Sequence, residues 1–475
     1  MTKLSDRQGG ADHGAEDDSF HDLNSRCCTP ATAFSSCTRL VPEFVTGGHV
    51  PLYLHQLVVC SGREAYARCV SVPDQTAPIL GRYPYPLGLA IFLVQCAVGI
   101  LLFATFQEWV PTALGTSDAW GGYLLAAYGG ARFIFETPTG AISDRIERRF
   151  GLLLGFALMI PAIGLMAFVR DAYAFLVFAA MLGFATAFLW PAAYAISADL
   201  YPPDRRGKVI GFLNLAQLLG FGVGALAGAF LVTEDGWYQF AAALVAVGLA
   251  FGAALRGIPA YRGGRILMPP SDEVRPSVRS IASPRLAWLS AIILSASVGL
   301  AMVVPVIRPY GANVLEVSFT TLTLALIPAI AVGVLLFVPA GDLADRFGRW
   351  RPFFAGQLLI VTGLLVLSFT ASLTVAVFAA MVVFTGNVLT VPAWNAAIMD
   401  LAPESHRGTM IGLSVALSGL GLAVGPAIGG FISGEWGAQA AFRFAAVVCA
   451  HTSLGIVVYA RRYPAAHPPR LADSR

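Results

Sequence analysis

At 475 residues, 56% hydrophobic and only 12% charged, with a mean hydropathy of +0.69, the chain is too apolar for a soluble globular fold and reads as a membrane protein. The net charge of +3 says little by itself, and no nucleic-acid partner is expected. The seven histidines are dispersed and the cysteines lack the paired Cys-x-x-Cys spacing of a zinc site, so neither a metal nor another cofactor is expected.

Residues 1–84 are polar, broken by glycine and proline, and carry an acidic patch at Glu16, Asp17 and Asp18. They read as a disordered or weakly structured tail. Five cysteines sit there, Cys27, Cys28, Cys37, Cys60 and Cys69, which suits a reduced cytoplasmic segment. No positively flanked apolar core precedes a small-residue cleavage site, so a secretory signal is not expected.

Apolar runs of about 20 residues, the length that crosses a hydrocarbon core, then follow one another. They begin near Pro86, Ala119, Phe150, Ala172, Val209 and Trp237, and again near Leu286, Val317, Pro352, Leu373, Thr409 and Ala438. The expectation is an all-α membrane protein of twelve transmembrane helices in two six-helix, pseudo-symmetric halves, residues 85–256 and 286–460. Residues 257–285, with prolines at 259, 269, 270, 276 and 284, form the connecting linker, and residues 461–475 a short C-terminal tail.

Arginine is concentrated in alternate loops: Arg145, Arg148 and Arg149; Arg205, Arg206 and Lys208; the run Arg256 to Arg285; Arg346, Arg349 and Arg351; Arg407; and Arg461 with Arg462. The intervening loops offer little beyond Arg170 and Arg308. The positive-inside rule places the rich set, both termini and the linker in the cytoplasm of a multi-pass cell-membrane protein.

The two halves are copies. Gly140, Asp144, Arg145 and Arg148 recur as Gly341, Asp345, Arg346 and Arg349 at a constant offset of 201. The same offset carries Pro191, Asp199, Arg206, Gly207 and Gly211 onto Pro392, Asp400, Arg407, Gly408 and Gly412. It also carries Gly220, Gly224 and Gly228 onto Gly421, Gly425 and Gly429, two stripes of small residues that permit close helix crossing. One offset held across separated segments means duplication of a whole half.

The symmetry breaks at Arg132 and Glu136, whose counterparts are Gly333 and Phe337. Ionisable groups inside a span are costly and are functional candidates by default. Two readings stand side by side: a pair that exchanges a proton or contacts a ligand and changes partners, or a permanently satisfied intrahelical ion pair. Around it, Gln95, Trp190, Tyr194, Asn214 and Gln217 in the first half, and Asn387, Trp394, Asn395, Ser414 and Ser418 in the second, are candidates to line a central cavity. This set is mainly neutral and aromatic, suited to an amphipathic organic molecule rather than a multiply charged phosphate.

On the paired loops, Gly-x-x-x-Asp-Arg-x-Gly-Arg apart from Glu147 in the first copy, residues 86 to 460 resemble the major facilitator superfamily of secondary transporters. The resemblance implies gate contacts: Asp144 to the eleventh helix near Gly408 and Thr409, Arg148 to Asp199, and the mirror contacts of Asp345 near Gly207 and Arg349 to Asp400. These contacts would tie the halves together when the transporter faces outward and part when it opens inward. It also implies a small-molecule substrate, a lipid bilayer around a monomer, and protons as one choice of coupling ion. Export of drug-like or amphipathic compounds is the expected activity, although the drug-antiporter fingerprints are incomplete. Ala179, Leu182 and Gly183 stand where the fourth helix would show Arg-x-x-Gln-Gly, and Gly-Pro-x-x-Gly-Gly occurs at Gly425 to Gly430 on the eleventh helix instead of the fifth. Uptake or uniport of a sugar or organic acid, and a non-transporting sensor on the same fold, are the alternatives. No nucleophile elbow, His-Glu-x-x-His or phosphate loop is present, so enzymatic activity is not expected.

Overall fold

The computed structural model describes residues 84–463 apart from 146–147, 202, 234–235, 259–282 and 400–406. The expected N-terminal tail, most of the linker and most of the C-terminal tail therefore lie outside the described residues. Within them the chain is an all-α membrane protein of twelve spans. The first half comprises Tyr85–Ala113, Ala119–Arg145, Arg148–Phe168, a fourth span in two pieces (Ala172–Thr186 and Leu189–Leu200), Pro203–Leu231 and Trp237–Gly257. The second comprises Pro284–Asn313, an eighth span in two pieces (Phe319–Ala325 and Ile327–Phe347), Trp350–Phe369, Leu373–Met399, Arg407–Trp436 and Ala438–Arg462.

Local chemistry sets where these helices begin. Asp171, Ser283 and Ser318 each accept from a backbone N–H three residues on, at 2.8, 3.1 and 3.2 Å, which satisfies one otherwise orphaned donor of the first turn. Gly236 and Gly437 lead into the sixth and twelfth spans with φ of 73° and 84°, a region that favours glycine. They too are repeat partners. The fifth helix starts at Pro203, ahead of the expected Val209, because its charged first turns stay helical beyond the apolar run, with proline tolerated at the first position.

Eleven of the spans are long and apolar enough to cross a membrane. The exception is Ala119–Arg145, long enough at 27 residues but diluted by Arg132, Glu136 and several glycines. It is held by its neighbours instead. A methyl group at Gly129 would sit 2.7 Å from the Leu422 carbonyl oxygen, and one at Gly122 would overlap the Pro426 carbonyl, so the second and eleventh spans cross in near backbone contact.

The duplicated glycine stripes do matching work. A side chain at Gly220, Gly224 or Gly228 would run into Phe92, Cys96 or Ala104 of the first span. One at Gly421, Gly425 or Gly429 would run into Ser297, Val298 and Ala301, or Met302, of the seventh. Each half thus packs its fifth helix on its first, around its own buried apolar clusters, one over residues 87–258 and two over residues 286–459. Where lipid supplies no hydrophobic drive between helices, such close packing is what holds them together.

Candidate transport site

The second span presents three polar side chains at four-residue spacing, Tyr128, Arg132 and Glu136. Arg132 Nη2 lies 3.5 Å from Glu136 Oε1, and both side chains keep less than a fifth of their surface exposed, at 19% and 16%. Tyr128 is buried one turn before Arg132 and close enough to interact with it electrostatically. Arg followed by Glu is the less favourable order for an i,i+4 pair along a helix, so helix stability does not explain it. At 3.5 Å the contact is a charge pairing longer than a good hydrogen bond.

The pair opens onto a cavity of about 230 Å³ that draws on both halves. Gly129, Arg132 and Glu136 come from the second span, Trp394 and Asn395 from the tenth, and Ser414, Ser418 and Gly419 from the eleventh. Ser414 Oγ donates to Asn395 Oδ1, which fixes the amide at the wall, and Ser418 bonds back to the Ser414 carbonyl at 3.0 Å. Trp394 is buried edge-on against Phe353 with ring centres 6.4 Å apart.

The remaining sequence candidates fall into two groups. Tyr194 is close enough to interact electrostatically with Arg132 and Glu136; its hydroxyl is 3.5 Å from Asn214 Oδ1 and its ring lies 5.2 Å from that of Trp190. Trp190 itself is buried in the core of its half. Gln95 is only 5% exposed and sits behind Gly220, between the first and fifth spans, away from the lining of this cavity. Gln217 and Asn387 are half-buried on the fifth and tenth spans and do not line it either.

Of the signature loops, Gly140 packs on Pro191, a methyl there standing 3.5 Å from the proline ring. Arg148 Nη1 donates to the Ala195 carbonyl at 2.9 Å, reaching the end of the fourth span one turn before Asp199. Arg346 is exposed, and Arg349 stands just before the ninth span. Gly348 has φ of 81°, whereas the first copy carries Glu147 at that position. The surroundings of Gly341 and the side chains of Asp144, Arg145, Asp199, Asp345 and Asp400 lie outside the described part, so the expected carboxylate gate contacts do as well.

Two features escaped the sequence. Thr139 is buried, and its hydroxyl lies 2.8 Å from the Ala187 carbonyl and 3.1 Å from the Glu136 carbonyl. Ala187 is the carbonyl that Pro191, having no N–H, cannot serve, so a break in the fourth span is mended from the second. The other is an ion cluster at the end of the molecule remote from the signature loops, where Arg308 pairs with Glu108 and Asp118 across the two halves.

Polar side chains from both halves thus meet in a cavity between two six-helix bundles. The family model described as Major Facilitator Superfamily matches residues 87–413 and 339–474. The chain belongs to the Major Facilitator Superfamily. It is 21% identical over 398 residues to the uncharacterized MFS-type transporter MJ1560 of Methanocaldococcus jannaschii, covering 79% of this chain and 97% of that one. It is 24% identical over 337 residues to the multidrug resistance protein MdtG of Klebsiella pneumoniae, covering 69% and 80% respectively. Among solved structures, a bacterial homologue of the human lysosomal transporter Spinster, inward-facing and unoccupied, superposes with a TM-score of 0.63 at 17% identity, over 82% of this chain and 96% of that one. As a member of the superfamily the chain is a multi-pass membrane transporter handling a small molecule.

Proposed function

We propose that the chain exports an amphipathic, drug-like organic molecule in exchange for protons, as a monomer with both termini in the cytoplasm. The observation that carries this reading is the Arg132–Glu136 pair opening onto a cavity walled by both halves. A carboxylate so placed can take a proton, release Arg132 to a passing ligand or to Tyr128, and return the proton when the pair re-forms. Neutralising Glu136 leaves the Arg132 charge without its partner in a partly desolvated site, so a ligand that pairs with the arginine is favoured when the carboxylate is protonated and proton and cargo are coupled through one arginine. The rest of the wall, Trp394, Asn395 and Ser414, supplies an aromatic face and a few neutral hydrogen-bonding groups, and no cluster of cations for a phosphate. The name of the relative MdtG supports the same class of cargo. The Arg148 contact with the fourth span supports the proposed loop gate, in which Arg148 and Asp199, and by repeat Arg349 and Asp400, join and part.

The test is accumulation of labelled lipophilic dyes and drugs in efflux-deficient cells expressing the wild-type chain or Glu136→Gln at matched membrane levels. Lower accumulation with wild type and none with the variant is expected. If the variant exports as well as wild type, Glu136 is not the coupling carboxylate; if neither lowers accumulation of any compound, export is the wrong activity.

A further inference from the structure

The second contact region between the halves lies at the end remote from the signature loops. There the first span leaves α-helical geometry and runs as a π-helix from Ile100 to Trp109, where Thr105 Oγ1 bonds the carbonyl five residues back at 3.3 Å. Glu108 is carried at its end. The seventh span departs in the opposite sense, through a 3₁₀ turn at Val304–Val306, and Arg308 follows in the next turn.

Arg308 Nε donates to Glu108 Oε2 at 2.9 Å while its Nη1 meets Asp118 Oδ1. Asn313 Nδ2 adds a 3.2 Å bond to Asp118 Oδ2. The three charged side chains are 16%, 22% and 24% exposed, so water screens them only in part. One guanidinium therefore forks between two carboxylates at the end of the first span and just ahead of the second, a geometry for which arginine is pre-organised and lysine is not. Beside it, Phe103 and Phe319 pack with ring centres 5.4 Å apart and Thr320 donates to the Ala229 carbonyl at 3.0 Å. Arg308 thus ties the second half to two separate segments of the first.

We infer that Arg308, Glu108 and Asp118 form an electrostatic strap that holds the far end of the transporter shut and must break each time that end opens. The inference needs only the family's transport by rocking of one half against the other, and not the identity of cargo or coupling ion. It adds a gate at the end opposite the signature loops, built from residues outside the repeated motif. Arg308 answers to Gln107 in the first half, and Glu108 to Pro309 in the second, so the strap is a single asymmetric cross-link and has no mirror copy.

The test uses spin labels at Ala113→Cys and Ala312→Cys, both exposed, in a full-length chain whose native cysteines have been replaced, with distances read by pulsed electron resonance in lipid nanodiscs. The parent is expected to show one short distance. R308Q should raise the long-distance population about tenfold, and R308K, which keeps the charge without the fork, should fall between. The double variant E108Q/D118N removes the partners instead of the arginine and should match R308Q; it carries the test if R308Q does not fold. Distributions unchanged from the parent in E108Q/D118N and in every folded Arg308 variant overturn the strap. Because distance is measured and not transport, this failure is separate from any failure of the Glu136 reading.

Discussion

The two halves of this transporter descend from one sequence and have kept different things. Packing has been kept: the fifth span seats its glycines on the first as the eleventh does on the seventh, and left-handed Gly236 and Gly437 open the last span of each half. Polar equipment has not. Arg132 and Glu136 face Gly333 and Phe337 across the repeat, Gln107 faces Arg308, and the fourth span breaks before Pro191 whereas the tenth runs unbroken through Pro392. The difference teaches that close helix contact constrains both copies equally, since a side chain at the crossing has nowhere to go, while chemistry needs each group only once.

The largest expected effect would break the first side of that comparison. Gly224→Val and Gly429→Val should each abolish monodisperse protein in fluorescence-detected size exclusion, because overpacking costs about 1–3 kcal/mol even where neighbours can move and here the neighbour is backbone. Gly248→Val, with nothing within 4 Å of the new methyl, should behave as wild type. Tolerance of one stripe substitution but not the other would show that the halves are packed unequally.

Chemistry should respond on one side only. Glu136→Gln should abolish the proposed proton-coupled efflux while leaving expression intact, whereas Asn395→Ala, on the opposite wall of the cavity, should only weaken apparent cargo affinity. The loss of one hydrogen bond, about 0.5–1.5 kcal/mol, corresponds to a several-fold rise in KM with kcat little changed. Equal losses from the two substitutions would mean the cavity works as one site without division of labour.

The smallest effect concerns the broken span. Thr139→Val leaves the Ala187 carbonyl buried without its partner, a cost of about 1–3 kcal/mol that should appear as a melting temperature lower by a few degrees. Thr390→Val on the unbroken tenth span removes only a bond back to its own helix, to the Gly386 carbonyl, and should lower it less. Equal shifts would deny the break any special dependence on the second span.

The architecture was readable because its signals are local or periodic. Apolar run length located the helices, the glycine and arginine motifs gave the repeat, and eleven of the twelve expected starting points fall within two residues of those observed, with the fifth differing because a charged helical turn carries no hydropathy signal. Arg132 and Glu136 were legible because they are adjacent on one helix and anomalous in a membrane. Tyr128, one turn earlier on the same face, carried the same spacing and could have been found by it. Gln95 illustrates the limit: periodicity shows that a side chain is polar, but the glycine opposite, Gly220, decides that it is enclosed between two helices. The Arg308 cluster joins residues 190 and 200 positions apart, so no window along the chain contains it; the only hint was an arginine in a loop otherwise nearly free of them.

The composition of the second span also bears on how the protein is made. A helix leaving the translocon is judged on its own transfer free energy, and arginine near the centre costs about 2.5–3.5 kcal/mol on that scale. With Arg132, Glu136 and its glycines, Ala119–Arg145 is the one span not apolar enough to stand alone in lipid. It must therefore be retained by its neighbours, and its main partner, the eleventh span, is synthesised almost three hundred residues later. A nascent chain stopped after the second span should slip back out of the bilayer, while one extended through the third should keep it as a hairpin. The Arg132–Glu136 pair, which marks this span out chemically, thus makes it the weakest step of the protein's biogenesis.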